Sequence, residues 1–103
     1  MMELKPGSRW KSAVCSSEMV VVRPPKASGV LECGGAPVRA QDSTDAPSGE
    51  PDAAHSSGVL IGKRYVDDDS GIEVLGAKPG KGSLSFDGRP LRLKEAKPLP
   101  ASD

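Results

Sequence analysis

Hydrophobic and polar positions alternate in short stretches along this chain and never settle into a helical period. From Ser8 to Cys15, Trp10, Ser12 and Val14 fall on one side and Ala13 and Cys15 on the other. Glu18 to Arg23 is β-branched and must stop at Pro24-Pro25, because proline cannot donate to a strand ladder. A loop over residues 26–29 follows, Val30-Leu31-Glu32-Cys33 returns, and Gly34-Gly35 breaks the pattern. The economical assignment is a hairpin that pairs 18–23 with 30–35.

The C-terminal half carries stronger signals. Val59 to Val66 and Ile72 to Leu75 flank Asp67-Asp68-Asp69-Ser70-Gly71, which predicts a hairpin with glycine available for a positive φ. Asp87-Gly88 lies between two alternating runs and predicts a tight two-residue hairpin, with Phe86 facing Arg89 and Leu84 facing Leu91. That register puts Leu84, Phe86, Leu91 and Leu93 on one face. It also assigns Pro90 to an edge strand or a strand end.

No helix is predicted beyond one turn at 93–97 before Pro98. The expected class is all-β, a small barrel or sandwich of about six to seven short antiparallel strands, either of which reduces exposed edges. No repeat stands out. Lys-Pro-Gly at 5–7 and 78–80, and Gly-Val-Leu at 29–31 and 58–60, read as turns entering strands.

Composition sharpens this picture. At 103 residues the chain is long enough for a single domain over 1–103. Leu, Ile, Val and Phe total 20 residues, which leaves a thin core, and 12 Gly with 10 Pro favour turns. Residues 40–57, AQDSTDAPSGEPDAAHSS, hold four acids, no base and no apolar side chain larger than Ala. A flexible acidic loop, rich in Pro, Ser and Ala, is expected there. A frayed tail is expected at 98–103.

Charge and targeting exclude some classes. Fourteen basic and fourteen acidic side chains cancel, which argues against a polybasic nucleic-acid tail. No apolar run approaches a membrane span, and the N-terminus lacks the apolar centre of a secretory signal. A cytoplasmic protein with reduced thiols and no membrane partner is the resulting expectation.

Candidate chemistry is sparse. Cys15, Cys33 and His55 are the borderline or soft metal ligands, but they lack the close pairing that structural zinc prefers. In the expected hairpin Cys33 faces Val20, about 16 Å from Cys15 at ~3.3 Å per residue, so only a reversal at Ser16-Ser17 would bring the sulfurs together. Cys33-Gly34-Gly35 as a nucleophile would need His55 as its base. Gly76 to Ser83 has the composition of a phosphate-binding loop but the wrong spacing, and a β pattern follows it. Asp67 to Glu73 fails the EF-hand positions and reads as a solvated tip. Arg89, Arg92, Lys94 and Lys97 near Phe86, with Lys63-Arg64 beside Tyr65, make a basic stretch with few aromatics.

No assembled catalytic set is visible, so an enzyme is the less favoured reading. The first expectation is a non-enzymatic accessory or protein-interaction module, without cofactor, that binds another protein or itself through exposed strand edges. The alternative is a small zinc-type metal-binding or thiol-redox protein that uses Cys15 and Cys33. Weak binding of single-stranded nucleic acid stands third.

Overall fold

The computed structural model describes residues 3–44 and 47–94 of the chain. Among these residues it is all-β apart from one 3-10 turn at Ala53–His55. Ten short antiparallel strands are β1 (Arg9–Lys11), β2 (Glu18–Arg23), β3 (Leu31–Cys33), β4 (Ala36–Pro37), β5 (Arg39–Ala40), β6 (Arg64–Val66), β7 (Glu73–Lys78), β8 (Leu84–Phe86), β9 (Arg89–Pro90) and β10 (Arg92–Leu93). They form a six-stranded sheet, β10-β6-β7-β2-β1-β5, and a four-stranded sheet, β4-β3-β8-β9. Both orders are open, so the barrel alternative finds no closure. Met19, Val21 and Val74 from the larger sheet share one buried cluster with Leu31, Leu84 and Phe86 from the smaller.

The two predicted C-terminal hairpins form. Val66 pairs with Glu73 across the Asp67–Gly71 turn, and Phe86 pairs with Arg89 across Asp87-Gly88. Asp87 and Gly88 both take positive φ, 50° and 81°, the backbone that a tight hairpin turn requires. Pro90 lies on β9, an edge strand, where its missing N–H costs no ladder bond.

Three expectations are corrected. β2 does not pair with the 30–35 segment; it lies between β1 and β7, while β3 pairs with β4 and β8 in the other sheet. The expected strand from Ser8 to Cys15 ends at Lys11, where a six-residue turn over 12–17 returns the chain, closed by Ser12 N–H donating to Ser17 O at 2.9 Å. Leu93 leaves the face of Leu84 and Phe86 to pair with Tyr65 in the larger sheet. The chain changes sheets at Val38 and at Leu91, which is why ten strands appear where six or seven were expected.

Both sheet orders read the same from either end once β1–β5 are matched with β6–β10. Residues 4–23 then correspond to 59–78, and residues 31–40 to 84–93. Val20 pairs with its own equivalent, Leu75, and the flanking pairs Val21–Val74 and Met19–Gly76 are images of each other, as are Arg23–Glu73 and Glu18–Lys78. Loop hydrogen bonds repeat as well. Gly7 N–H donates to Val21 O at 2.7 Å and Gly62 N–H to Gly76 O at 2.8 Å. Gly34 N–H donates to Ser83 O and Asp87 N–H to Val30 O, both at 2.9 Å. The chain is therefore a tandem repeat folded about a pseudo-twofold axis, contrary to the expectation of no repeat. Neither tripeptide that recurs in the sequence marks it.

Candidate dithiol site

The turn over 12–17 is built by serines. Ser12 Oγ accepts from the backbone N–H of Val14 and of Cys15, each at 3.1 Å. Such a turn competes well with a strand wherever a short hydroxyl side chain can reach the next amides. Ser12 and Ser17 are both buried. Their hydroxyls are spent on the inside of the turn, and Cys15 is held half-buried at its apex.

The sheet change between β2 and β3 brings the second thiol to the first. Cys33, fully buried at the end of β3, has its Sγ 4.0 Å from Cys15 Sγ. The 16 Å separation expected from a β2–β3 hairpin is thus overturned, because the chain does reverse at Ser16-Ser17 and β3 lies in the opposite sheet. Both cysteines are free thiols. Closing a disulfide would need the sulfurs to approach by about 2 Å.

The surroundings treat the two sulfurs differently. Ser17 Oγ lies 3.3 Å from Cys15 Sγ, and Gly82 N–H donates to the same sulfur at 3.4 Å. Burial opposes ionisation of Cys15, but hydrogen bonds from Ser12, Ser17 and the Gly82 amide outweigh it, and its thiol is lowered to about 7. Cys33 is pushed up to about 12, first by burial and then by the charge of Cys15 beside it. The pair therefore joins a half-buried sulfur whose pKa is lowered to about 7 and a buried sulfur whose pKa is raised to about 12.

Glycines in the 79–82 loop allow this approach. A Cβ at Gly80 would collide with Ser17, and one at Gly82 would lie 3.2 Å from Cys15 Sγ and 2.9 Å from Gly34 N. The third wall comes from the segment that joins the repeats. Ser48 N–H donates to Ala13 O and Asp52 N–H to Gly34 O, both at 2.9 Å, within the stretch expected to be a mobile acidic loop. Together the walls enclose a groove of about 610 Å³ lined by Cys15, Ser16, Glu50, Pro51, Gly80 and Lys81, among others.

As for the other candidates, His55 sits near Gly35, where a Cβ would be 3.5 Å from its ring, and its Nδ1 is buried without a partner among the described residues. Among those residues no three His, Cys, Asp or Glu side chains gather where a metal could bind. The acids of the 67–73 segment face bases: Asp67 meets Arg89 at 3.0 Å, Asp68 meets Arg92 at 2.8 Å, and Glu73 meets Lys94 at 2.9 Å and Arg64 at 3.1 Å. These contacts also occupy most of the basic stretch, while Phe86 and Tyr65 are buried. Lys97 and the tail at 98–103 lie outside the described residues. Lys78 falls within β7, and no helix follows the 76–83 loop. No helix among the described residues is long and apolar enough to cross a membrane.

Sequence reading missed Ser12, Ser17 and Gly82 as part of this site. The available signal was Ser12-x-x-Cys15-x-Ser17, hydroxyls on either side of a thiol at turn spacing, which an assumed continuous strand concealed. A scan against protein-family models finds no match to the chain, and searches of curated proteins and of solved structures find none either.

Proposed function

We propose that this protein works by dithiol–disulfide chemistry, with Cys15 as the attacking thiolate and Cys33 as the resolving thiol, carried on a small two-sheet sandwich. The observation that carries this reading is the 4.0 Å approach of a half-buried, hydrogen-bonded sulfur at the edge of a groove to a fully buried one. The repeat strengthens it. At the equivalent positions the second half has Ser70 and Phe86, and it builds the same turn and the same strand, so the fold itself does not call for thiols. A reducing, cytoplasmic setting suits a pair that is held as free thiols. Mild oxidation of the reduced protein should remove two hydrogens per chain and block alkylation of both cysteines together. A monomer that retains two alkylatable thiols after treatment with excess diamide would refute the reading.

A second reading, an interaction module, is favoured by Leu60 and Ile61, 56% and 64% exposed, where the first repeat has Lys5 and Pro6. Replacing both with Ser should abolish any self-association seen by sedimentation. An unchanged association constant would remove that reading.

A further inference from the structure

The groove over Cys15 carries information about what reaches the sulfur. The thiol is approached between the 12–17 turn, the 79–82 loop and the segment near residue 50. Two exposed side chains of opposite charge line that space, Lys81 and Glu50, and among the described residues neither is engaged in an ion pair. Gly49 adds a peptide group with no side chain over it. A volume of about 610 Å³ lies in the range of small-molecule sites. A carboxylate complements Lys81 and an ammonium complements Glu50, so the charges fit a zwitterion. The thiol in the groove has a second thiol 4.0 Å behind it, and that pairing suits a disulfide ligand, because the second sulfur can resolve the mixed disulfide that the first one forms.

We infer that the groove takes a low-molecular-weight disulfide built on an amino acid or short peptide, and that this disulfide is the oxidant of the Cys15–Cys33 pair. The inference rests on the dithiol reading above. In the first step Cys15 thiolate attacks one sulfur of the disulfide RSSR, forming Cys15–S–S–R and releasing RS⁻. Capping Cys15 removes the neighbouring negative charge that opposes ionisation of Cys33. Cys33 then loses its proton to the RS⁻ released in the first step, attacks Cys15 Sγ and expels the second RS⁻, which takes the proton that Cys15 had shed. The protein loses two electrons and two protons overall, and RSSR becomes two RSH. Exclusion of bulk from three sides favours a small disulfide over a cystine bridge within a folded protein.

The test uses the full chain and two probes, oxidised glutathione, which carries ammonium groups and an excess of carboxylates, and bis(2-hydroxyethyl) disulfide, which is neutral. Cystine, zwitterionic without net charge, replaces the first probe as the control for plain attraction of an anion. Cys33→Ser should stop after the first step and accumulate a one-to-one mixed disulfide on Cys15, seen as an adduct mass. The unmodified chain should proceed to the intramolecular disulfide without an adduct. In Lys81→Glu the rate with oxidised glutathione, divided by the rate with the neutral probe, should fall roughly fivefold, the scale of a lost exposed charge contact. The ratio cancels any change in the ionisation of Cys15. An unchanged ratio, with both probes still oxidising the pair, overturns the inference and leaves the dithiol reading standing. Failure of both probes to yield the Cys15–Cys33 disulfide overturns the reading itself.

Discussion

The turns over 12–17 and 67–72 occupy equivalent places in the two repeats and are closed in opposite chemical currencies. The first is made of hydroxyls and thiols, with Ser12, Ser17 and Cys15 bonded inward. The second is made of charges, with Asp67 accepting from Ser70 N–H at 3.2 Å and from Arg89 at 3.0 Å. Cys33 in the first repeat is matched by Phe86 in the second. One backbone path thus tolerates either filling, which teaches that the fold constrains the shape of this turn and not its chemistry. What differs between the halves is free to serve something other than folding.

Four measurements press on that comparison, and the first has the largest expected effect. Phe86→Ala should cost about 3–5 kcal/mol, because a fully buried ring leaves a cavity. The equivalent change Cys33→Ala should cost only about 1 kcal/mol. Chemical denaturation of both variants checks this, and equal losses would mean that the thiol is structural.

Asp67→Asn comes next, at about 1 kcal/mol, since it weakens without removing a charge-assisted bond to the half-exposed Arg89. The sign of the accompanying pH effect is fixed. The Arg89 hydrogen bond holds Asp67 below its usual 3.8, and the Lys94 hydrogen bond holds Glu73 below its usual 4.5. Their contribution is present above those values and is lost as pH falls through the depressed ones, because the unfolded chain takes up protons first. Melting temperatures should therefore fall from pH 5 towards pH 3 in the unmodified chain, and fall less steeply in Asp67→Asn.

The third measurement concerns reactivity. Alkylation of Cys15 should rise with pH through a midpoint of about 7. Ser17→Ala should move that midpoint upward by removing a hydrogen bond to the thiolate, while Cys33 stays protected throughout. The smallest effect is expected for Cys15→Ser, within about 1 kcal/mol of the unmodified chain, because serine already stands at the equivalent position 70. A larger loss would show that the first turn depends on sulfur packing.

What the sequence disclosed was local. The Asp87-Gly88 and 67–71 hairpins were legible because the turn residues fix the register of their own neighbours. The partners of β2 were not, because a β-branched run such as Met19-Val20-Val21-Val22 carries no mark of which distant strand it meets. The sheet changes at Val38 and Leu91 left no signal beyond one residue each. The repeat was hidden for two reasons. The halves share 7 of 30 matched residues, among them Arg9 with Arg64 and Pro37 with Pro90, and the connection over 24–30 is two residues longer than that over 79–83. The dithiol was hidden by the same misplaced strand, since Cys15 and Cys33 meet only when β2 and β3 are assigned to different sheets.

The covalent join between the repeats has one more consequence. A dimer of two identical copies carries every substitution twice, once on each side of its axis, so a reactive group placed beside the axis always comes with a twin. A chain that holds both copies in tandem escapes this rule. It can keep Phe86 and Ser70 on one side while it explores sulfur at Cys33 and Cys15 on the other, and its assembly is unimolecular and indifferent to dilution. Ser48 and Asp52, from the connection between the repeats, bond to Ala13 and Gly34 of the first repeat, so the two turns have different neighbours before a single side chain has changed.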